Sequence, residues 1–264
     1  MTSGLDPERN FAAIRDAAQE AATGGAAMLF TPEMSLLLDR DRQRAAAHIV
    51  AAERSSFTGR LSALADETGV TIALGSMAVA VADGRWANRA MLFAPGGAAP
   101  VTYDKMHMFD VDLASGESWR ESNAYRAGDR VVVAEGTPVG RLGLAICYDL
   151  RFPALFEALG RQSCDVIAIP AAFTVPTGEA HWHVMLRARA IEASAYVVAA
   201  AQVGAHEDGR KTYGHSLVVD PWGEIVLDMG GAEPGLGFAE IDPARIAQVR
   251  AQVPSLANRR EIIT

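Results

Sequence analysis

Residues 142–146 form an apolar run, Leu-Gly-Leu-Ala-Ile, that stops at Cys147, and Pro153 opens a helical pattern six residues later. This juncture constrains the fold more than any other segment. A short apolar run bounded by turn residues reads as a buried strand, and Pro153, with its fixed φ, suits the first turn of a helix. Strands that feed helices build layered α/β proteins, which place their chemistry at the carboxyl ends of strands. Cys147 stands at such an end. Taken alone it has a second reading as a small packing residue, because free cysteine is among the most buried residue types.

The same alternation runs through the chain. Phe11, Ile14, Ala17, Ala18 and Ala21 fall at helical spacing within residues 10–23, ahead of Gly24-Gly25. Residues 26–31 predict a strand that stops at Pro32-Glu33, and residues 42–66 an alanine-rich helical stretch with a break near Ser55-Ser56. Residues 70–81 read as strand, turn and strand, and 90–94 as another strand. Strands at 130–133 and 140–146 flank a turn at Gly136-Thr-Pro138. A strand at 165–169, a helix at 178–194 and a strand at 196–202 follow. Residues 216–220 and 224–228 predict a hairpin over Pro221-Trp-Gly223, and 242–253 a last helix. Helices and hairpins interleave without repeat or linker, which predicts a layered α/β fold with a mixed sheet.

At 264 residues the chain is long enough for a single large domain over residues 1–264. A formal net charge of -8 argues against nucleic acid or an anionic membrane as partner. The chain carries no apolar run long enough to span a bilayer and no export pattern. Two cysteines, Cys147 and Cys164, make no disulfide framework, so the expected compartment is the cytoplasm. Nor do two sulfurs make a metal site. His181 and His183 do not complete one, since positions two apart on a helix face different ways, and no metal is expected.

Three segments share one pattern, an apolar strand that ends in a single polar residue. They end at Glu33, Lys105 and Cys147. The chemistry of the three fits together. A thiol titrates near ~8.5 and needs a base or a cation to become a useful nucleophile at neutral pH. A carboxylate can take its proton, and an ammonium can stabilise both thiolate and oxyanion. Singly, Glu33 also reads as a helix-start residue and Lys105 as a solvated lysine.

Phe30-Thr-Pro-Glu33, Tyr103-Asp-Lys105 and Gly143-Leu-Ala-Ile-Cys147, followed by Tyr148-Asp-Leu-Arg-Phe-Pro153, resemble the three signature segments of the nitrilase superfamily of carbon–nitrogen hydrolases. The resemblance runs from about Thr2 to Arg260. It implies a four-layer α-β-β-α sandwich, a homodimer packed across one helical layer, and a Glu33–Lys105–Cys147 triad supported by Glu121. It implies a thioester on Cys147, an oxyanion held by Lys105 and the Tyr148 N–H, and no cofactor. Family members open with an apolar strand ahead of the first helix. This sequence starts at Met1-Thr2-Ser3-Gly4, so the first strand is expected to be missing, as though translation had been assigned to an internal methionine.

Gly178-Glu-Ala-His181-Trp182, Leu186-Arg-Ala-Arg-Ala-Ile-Glu192 and Tyr213-Gly-His215-Ser216 resemble the branch of deaminated-glutathione amidases, with the ω-amidases close by. The implied substrate is a small anionic amide: deaminated glutathione first, 2-oxoglutaramate second, with carbamoylase and nitrilase chemistry as wider alternatives. Arg151 is the candidate carboxylate clamp, or else an ion-pair partner of Glu192 or Asp149. Phe173 and Thr174 are expected to line the pocket. His181, Trp182 and His215 read as packing and hydrogen-bonding residues. A Cys-His hydrolase using His181 or His215 is the rival within the same class, and a non-catalytic binding homologue is the rival from another.

Overall fold

The structure is a computed structural model that describes residues 1–112, 114, 116 and 118–260. Helix α1 (Pro7–Thr23) starts earlier than its apolar periodicity predicts, because Asp6 accepts the N–H groups of Glu8 and Arg9 and Pro7 fits the first turn. It leads into strand β1 (Met28–Phe30). The stretch 42–66 divides into α2 (Arg42–Ala46), a 3₁₀ turn (Ala52–Arg54) and α3 (Ser56–Thr68), with the break at Ser55 where the sequence places it. Strand β2 (Thr71–Ala80) is continuous, although a turn is expected inside it. Strands β3 (Trp86–Phe93) and β4 (Val101–Asp104) follow. A small hairpin of β5 (Asp110–Asp112) and β6 (Ser118–Arg120) has no signal in the sequence pattern.

The second half begins with β7 (Val133–Thr137) and β8 (Gly140–Leu144), which turn over Pro138-Val139. Cys147–Arg151 forms a 3₁₀ turn, and α4 (Pro153–Arg161) starts at the proline, as expected. Then come β9 (Val166–Ala168), α5 (Val175–Ala193), β10 (Tyr196–Ala199), and the paired β11 (Val203–Ala205) and β12 (Lys211–Tyr213). The predicted hairpin is β13 (Leu217–Val219) and β14 (Ile225–Asp228), and α6 (Pro243–Gln252) is the last described helix.

These elements stack in four layers. The four-stranded sheet has the order β1-β2-β3-β4, and the six-stranded sheet the order β14-β13-β10-β9-β8-β7. Period-two burial lets the first sheet face two ways. Ile72, Leu74, Met91 and Phe93 pack against α1 and α3, whereas Ala73, Ala90, Leu92 and Tyr103 pack against the second sheet. The far face of the second sheet is covered by α4 and α5 through Leu155, Phe156, Trp182 and Leu186. The α-β-β-α order implied by the resemblance is therefore the order found. Among the described residues no helix is long and apolar enough to cross a membrane.

Residues 1–4 add no strand to either sheet. The Met1 carbonyl accepts the Val203 N–H at 3.0 Å, and the Thr2 hydroxyl donates to the Val203 carbonyl at 2.7 Å. Among the described residues strand β1 is an edge of its sheet. A cleft of about 560 Å³ lined by Met1, Ala21, Leu29, Val198, Leu217 and Leu236 runs past it.

Directions within the sheets decide where the chemistry gathers. Strand β1 runs parallel to β2, β3 antiparallel to β2, and β4 antiparallel to β3, so β1 and β4 leave the sheet at the same end. In the other sheet β8, β9 and β10 run parallel and also share an exit end. The register of β2 against β3 shifts between Leu74 and Met77, and Gly75 lies in that irregularity. A Cβ on Gly75 would lie 2.1 Å from the Thr31 carbonyl oxygen and 2.4 Å from that of Pro32, so the missing side chain admits the Thr31-Pro32 backbone. Gly75→Ala is expected to destabilise the protein by about 2 kcal/mol, since neither backbone contact can yield cheaply. Its denaturant midpoint should fall, and an unchanged midpoint would contradict this reading of the contact.

Candidate active site

Each strand end is held by its own local structure. Beyond β1, the Thr31 hydroxyl accepts the Gly75 N–H at 3.0 Å and the Ser35 hydroxyl at 2.9 Å, which fixes the turn into Glu33. The Gln202 amide donates to the Glu33 carbonyl at 3.0 Å, so the exit of β10 braces that of β1. Beyond β4, the Lys105 N–H donates to the Asn88 carbonyl at 2.9 Å, extending the ladder with β3. Beyond β8, Cys147 takes a φ of +46°, in the left-handed region that non-glycine residues seldom occupy, and donates its N–H to the Pro170 carbonyl at 2.8 Å.

Asp149 maintains that strained turn. It is fully buried. One carboxylate oxygen accepts the Ile146 N–H at 2.9 Å and the Tyr103 hydroxyl at 2.7 Å. The other accepts the His107 N–H at 3.0 Å and faces His107 Nδ1 at 2.7 Å. Asp149 thereby ties the turn after β8 to the segment after β4. Burial, with the Asp149 carboxylate alongside, pushes the Tyr103 hydroxyl far above its ordinary range, so it stays a neutral donor.

The three side chains meet. Lys105 Nζ lies 3.0 Å from Glu33 Oε1 and 2.9 Å from Glu121 Oε2, and all of Glu33, Lys105 and Cys147 are at least nine-tenths buried. The Asn88 amide donates to Glu33 Oε1 at 2.9 Å and to Glu121 Oε1 at 3.2 Å. Glu33 Oε2 accepts the Ala172 N–H at 2.9 Å, and Glu121 Oε2 the Phe109 N–H at 2.7 Å. Burial alone would raise the Glu33 carboxyl, but the Lys105 ammonium, a hydrogen bond with Cys147 and the Ala172 N–H overcome it and hold the group below its ordinary range. Burial opposes charge on Lys105 as well. Glu121, Glu33 and Cys147 outweigh it and raise the ammonium well above its ordinary value. Burial and the Glu33 carboxylate push the Cys147 thiol up, with Lys105 acting against them. The resting site is a carboxylate, an ammonium and a thiol.

This group lines a cavity of about 160 Å³. Tyr148, Phe173 and Thr174 line it, as expected. Tyr148 is the second residue of the 3₁₀ turn, so its N–H is one that a helix start leaves without an internal acceptor. Phe173 is buried against Trp182 with ring centroids 4.9 Å apart, and the Thr174 hydroxyl pairs with that of Thr177 at 2.7 Å. Arg151 is placed elsewhere. Its guanidinium backs the Phe173 ring at 5.3 Å and approaches His181 Nδ1 at 3.3 Å, outside the cavity lining. Its alternative partners are engaged by other groups: Glu192 pairs with Arg189 at 2.7 Å, and Asp149 holds the turn. Neither His181 nor His215 lines the cavity.

Several lining residues escape the sequence reading. Asn88 bridges both glutamates from the middle of β3, where a lone amide in an apolar strand is the one available signal. Arg40, Arg42, Trp119, Arg210 and Lys211 form the mouth, contributed by loops, by the first residue of a short helix and by short strands without periodic pattern.

Comparison with known proteins agrees with this geometry. The sequence model of the carbon-nitrogen hydrolase family matches residues 1–251. The chain belongs to the carbon-nitrogen hydrolase family. It is 41% identical to the deaminated glutathione amidase of Synechocystis sp. (strain PCC 6803 / GT-S), covering 98% of this chain and 95% of that protein. It is 38% identical to the Homo sapiens deaminated glutathione amidase, covering 98% of this chain and 80% of that one. The crystal structure of the C. elegans NitFhit protein superposes with a TM-score of 0.89 at 34% identity, over 98% of this chain and 63% of that chain. Like other members of its family, the chain is a hydrolase acting on carbon–nitrogen bonds. Asp149→Ala is expected to cost this hydrolase about 3 kcal/mol, because it strands the Ile146 and His107 N–H groups and the Tyr103 hydroxyl in the interior. Chemical denaturation measures the loss; a midpoint within error of the parent's would refute the role given to Asp149.

Proposed function

We propose that this carbon-nitrogen hydrolase cleaves deaminated glutathione to 2-oxoglutarate and cysteinylglycine through a thioester on Cys147. The observation that carries the chemistry is the contact of Lys105 with both Glu33 and Glu121 in a cavity that Cys147 also lines. Glu33 takes the proton of Cys147 as sulfur attacks the amide carbon and the C–S bond forms. The oxyanion settles between the Lys105 ammonium and the Tyr148 N–H. Such preorganised donors are each worth ~3 kcal/mol in acyl transfer. As the C–N bond breaks, Glu33 passes its proton to the departing nitrogen. Water then enters, Glu33 removes its proton, and attack on the thioester releases the carboxylate and returns the proton to sulfur. Glu121 orients Lys105 throughout. No step calls for a cofactor.

The cavity mouth supports an anionic substrate. Arg40, Arg42, Arg210 and Lys211 line it, in a chain whose net charge is -8. Among the described residues no carboxylate lies within 4.0 Å of the Arg40, Arg42 or Lys211 charges, whereas Arg210 is paired with Asp208 at 2.7 Å. Tyr148, Phe173 and Thr174 contact the acyl portion, and Arg151 acts on it through Phe173, whose ring it backs. The relatives named for the deaminated glutathione substrate favour it over 2-oxoglutaramate.

Residues 1–264 act as one catalytic domain in this reading, working as a homodimer in the cytoplasm. Both cysteines are free, which suits a reducing compartment and a thiol nucleophile. A sedimentation mass equal to one chain would contradict the homodimer.

Cys147→Ala is expected to abolish turnover with an unchanged circular-dichroism spectrum, and Glu33→Gln to lower kcat by about 10²–10⁴-fold, as for loss of a general acid–base group. Measurable steady-state hydrolysis by the alanine variant would refute the covalent route. In parallel kinetics, kcat/KM for deaminated glutathione should exceed that for 2-oxoglutaramate by at least about tenfold, or ~1.4 kcal/mol. The reverse order would assign the enzyme to the smaller amide.

A further inference from the structure

Two histidines that the catalytic site does not use are drawn together with an aspartate from a distant segment. His183 projects from α5, His215 precedes β13, and Asp228 ends β14. His183 Nε2 lies 3.0 Å from Asp228 Oδ2. His215 Nδ1 lies 2.9 Å from Asp228 Oδ1 and 3.2 Å from Oδ2. The donor atoms of the three residues all fall within 4.8 Å of one another. We propose that His183, His215 and Asp228 bind a divalent transition-metal ion, Zn²⁺ or Ni²⁺ in class, at a site separate from the catalytic cavity.

Spacing is the first argument. Zinc takes imidazole nitrogen at about 2.0–2.1 Å and carboxylate oxygen at about 2.0–2.2 Å, which sets neighbouring donors in a tetrahedron roughly 3.4 Å apart. The histidine-to-carboxylate separations are already close to this, and the imidazoles need only turn their nitrogens toward a common point. Donor type is the second. Two imidazoles and one carboxylate suit Zn²⁺ or Ni²⁺, while Mg²⁺ and Ca²⁺ prefer sites made wholly of oxygen.

Rigidity is the third. His215 takes a left-handed φ of +53°, donates its N–H to the Gly230 carbonyl at 2.7 Å, and accepts the Trp182 indole N–H at its own carbonyl at 2.8 Å. Its ring stacks on Tyr213 with centroids 4.5 Å apart. Asp228 Oδ1 also accepts the Gly230 N–H at 2.9 Å. These contacts fix the backbone of His215 and one oxygen of Asp228, and leave the imidazoles free to turn toward an ion. Access is the fourth. The side chains of His183, His215 and Asp228 keep 31%, 26% and 32% of their surface open, so an ion can enter without unfolding.

Without a metal, the cluster is a carboxylate accepting two imidazole N–H bonds, and both states use the same scaffold. Binding would exchange those protons for the ion and leave coordination positions for water. The ion's effect is mechanical. It clamps α5 to the β13–β14 hairpin, and α5 carries Trp182, which packs against Phe173 in the cavity wall. Sequence spacing cannot reveal the site. His181 and His183 diverge on their helix, and the partners of His183 stand 32 and 45 positions further along the chain, from the difference of their residue numbers.

The test is calorimetric titration of chelator-treated, full-length protein with ZnCl₂ and NiCl₂, made in the Cys147→Ala background so that the active-site thiol takes no metal. One ion per chain should bind, and the thermal midpoint should rise with metal. His183→Ala and Asp228→Asn should each weaken binding at least tenfold; the first removes a side chain that is only half-buried and the second keeps the shape of the side chain. Absence of saturable uptake, or uptake unaltered in both variants, would overturn the proposal. Neither result bears on the amide chemistry, which the Cys147→Ala protein lacks.

Discussion

A single ammonium buried between two carboxylates is the constraint on which the site depends. Lys105 retains 2% of its surface, and taking a charge of that kind out of water costs several kcal/mol unless it is paired and hydrogen-bonded. Glu33 and Glu121 supply the pairing, and Asn88 spans them from a strand between. The arrangement contains one more carboxylate than ammonium. That excess is chemically useful, because one glutamate can become neutral on receiving a proton while the other keeps the lysine charged. A symmetric ion pair would lose its partner at the same moment.

The sandwich makes this density of charge possible. Parallel exits of β1 and β4 bring Glu33 and Lys105 out of one sheet on one side, although the strands are its opposite edges. The parallel strands β8, β9 and β10 do the same for Cys147, Phe173 and Gln202 in the other sheet. Each exit is then fixed by another element: Gln202 braces Glu33, Asp149 braces the cysteine turn, and Gly75 leaves room for the backbone ahead of Glu33. Preorganisation here comes from many short backbone contacts and few side-chain choices.

Legibility in the sequence followed periodicity. Strands with apolar runs and helices with proline starts stand close to their expected places, from α1 to α6, because burial patterns and caps are local properties. The turn expected within residues 70–81 does not form, and Gly75 in that stretch is a point of close approach between two backbones. The β5–β6 and β11–β12 hairpins, which help build the cavity mouth, carry no periodic signal at all. Arg151 shows the converse limit. Its position four residues past Cys147 suggested a clamp, yet the 3₁₀ turn carries it behind Phe173.

What the sequence determined by itself was the inventory: three strand ends, each closed by a reactive group, and the order of elements that could stack them. Those are consequences of side-chain polarity and backbone propensity along a few neighbouring residues. Only the tertiary structure decided that Lys105 touches both carboxylates, that Asn88 spans them, and that His183 faces Asp228 and not His181. Such contacts join residues tens of positions apart, and their energies depend on burial and on ångström-scale distances that no local pattern encodes.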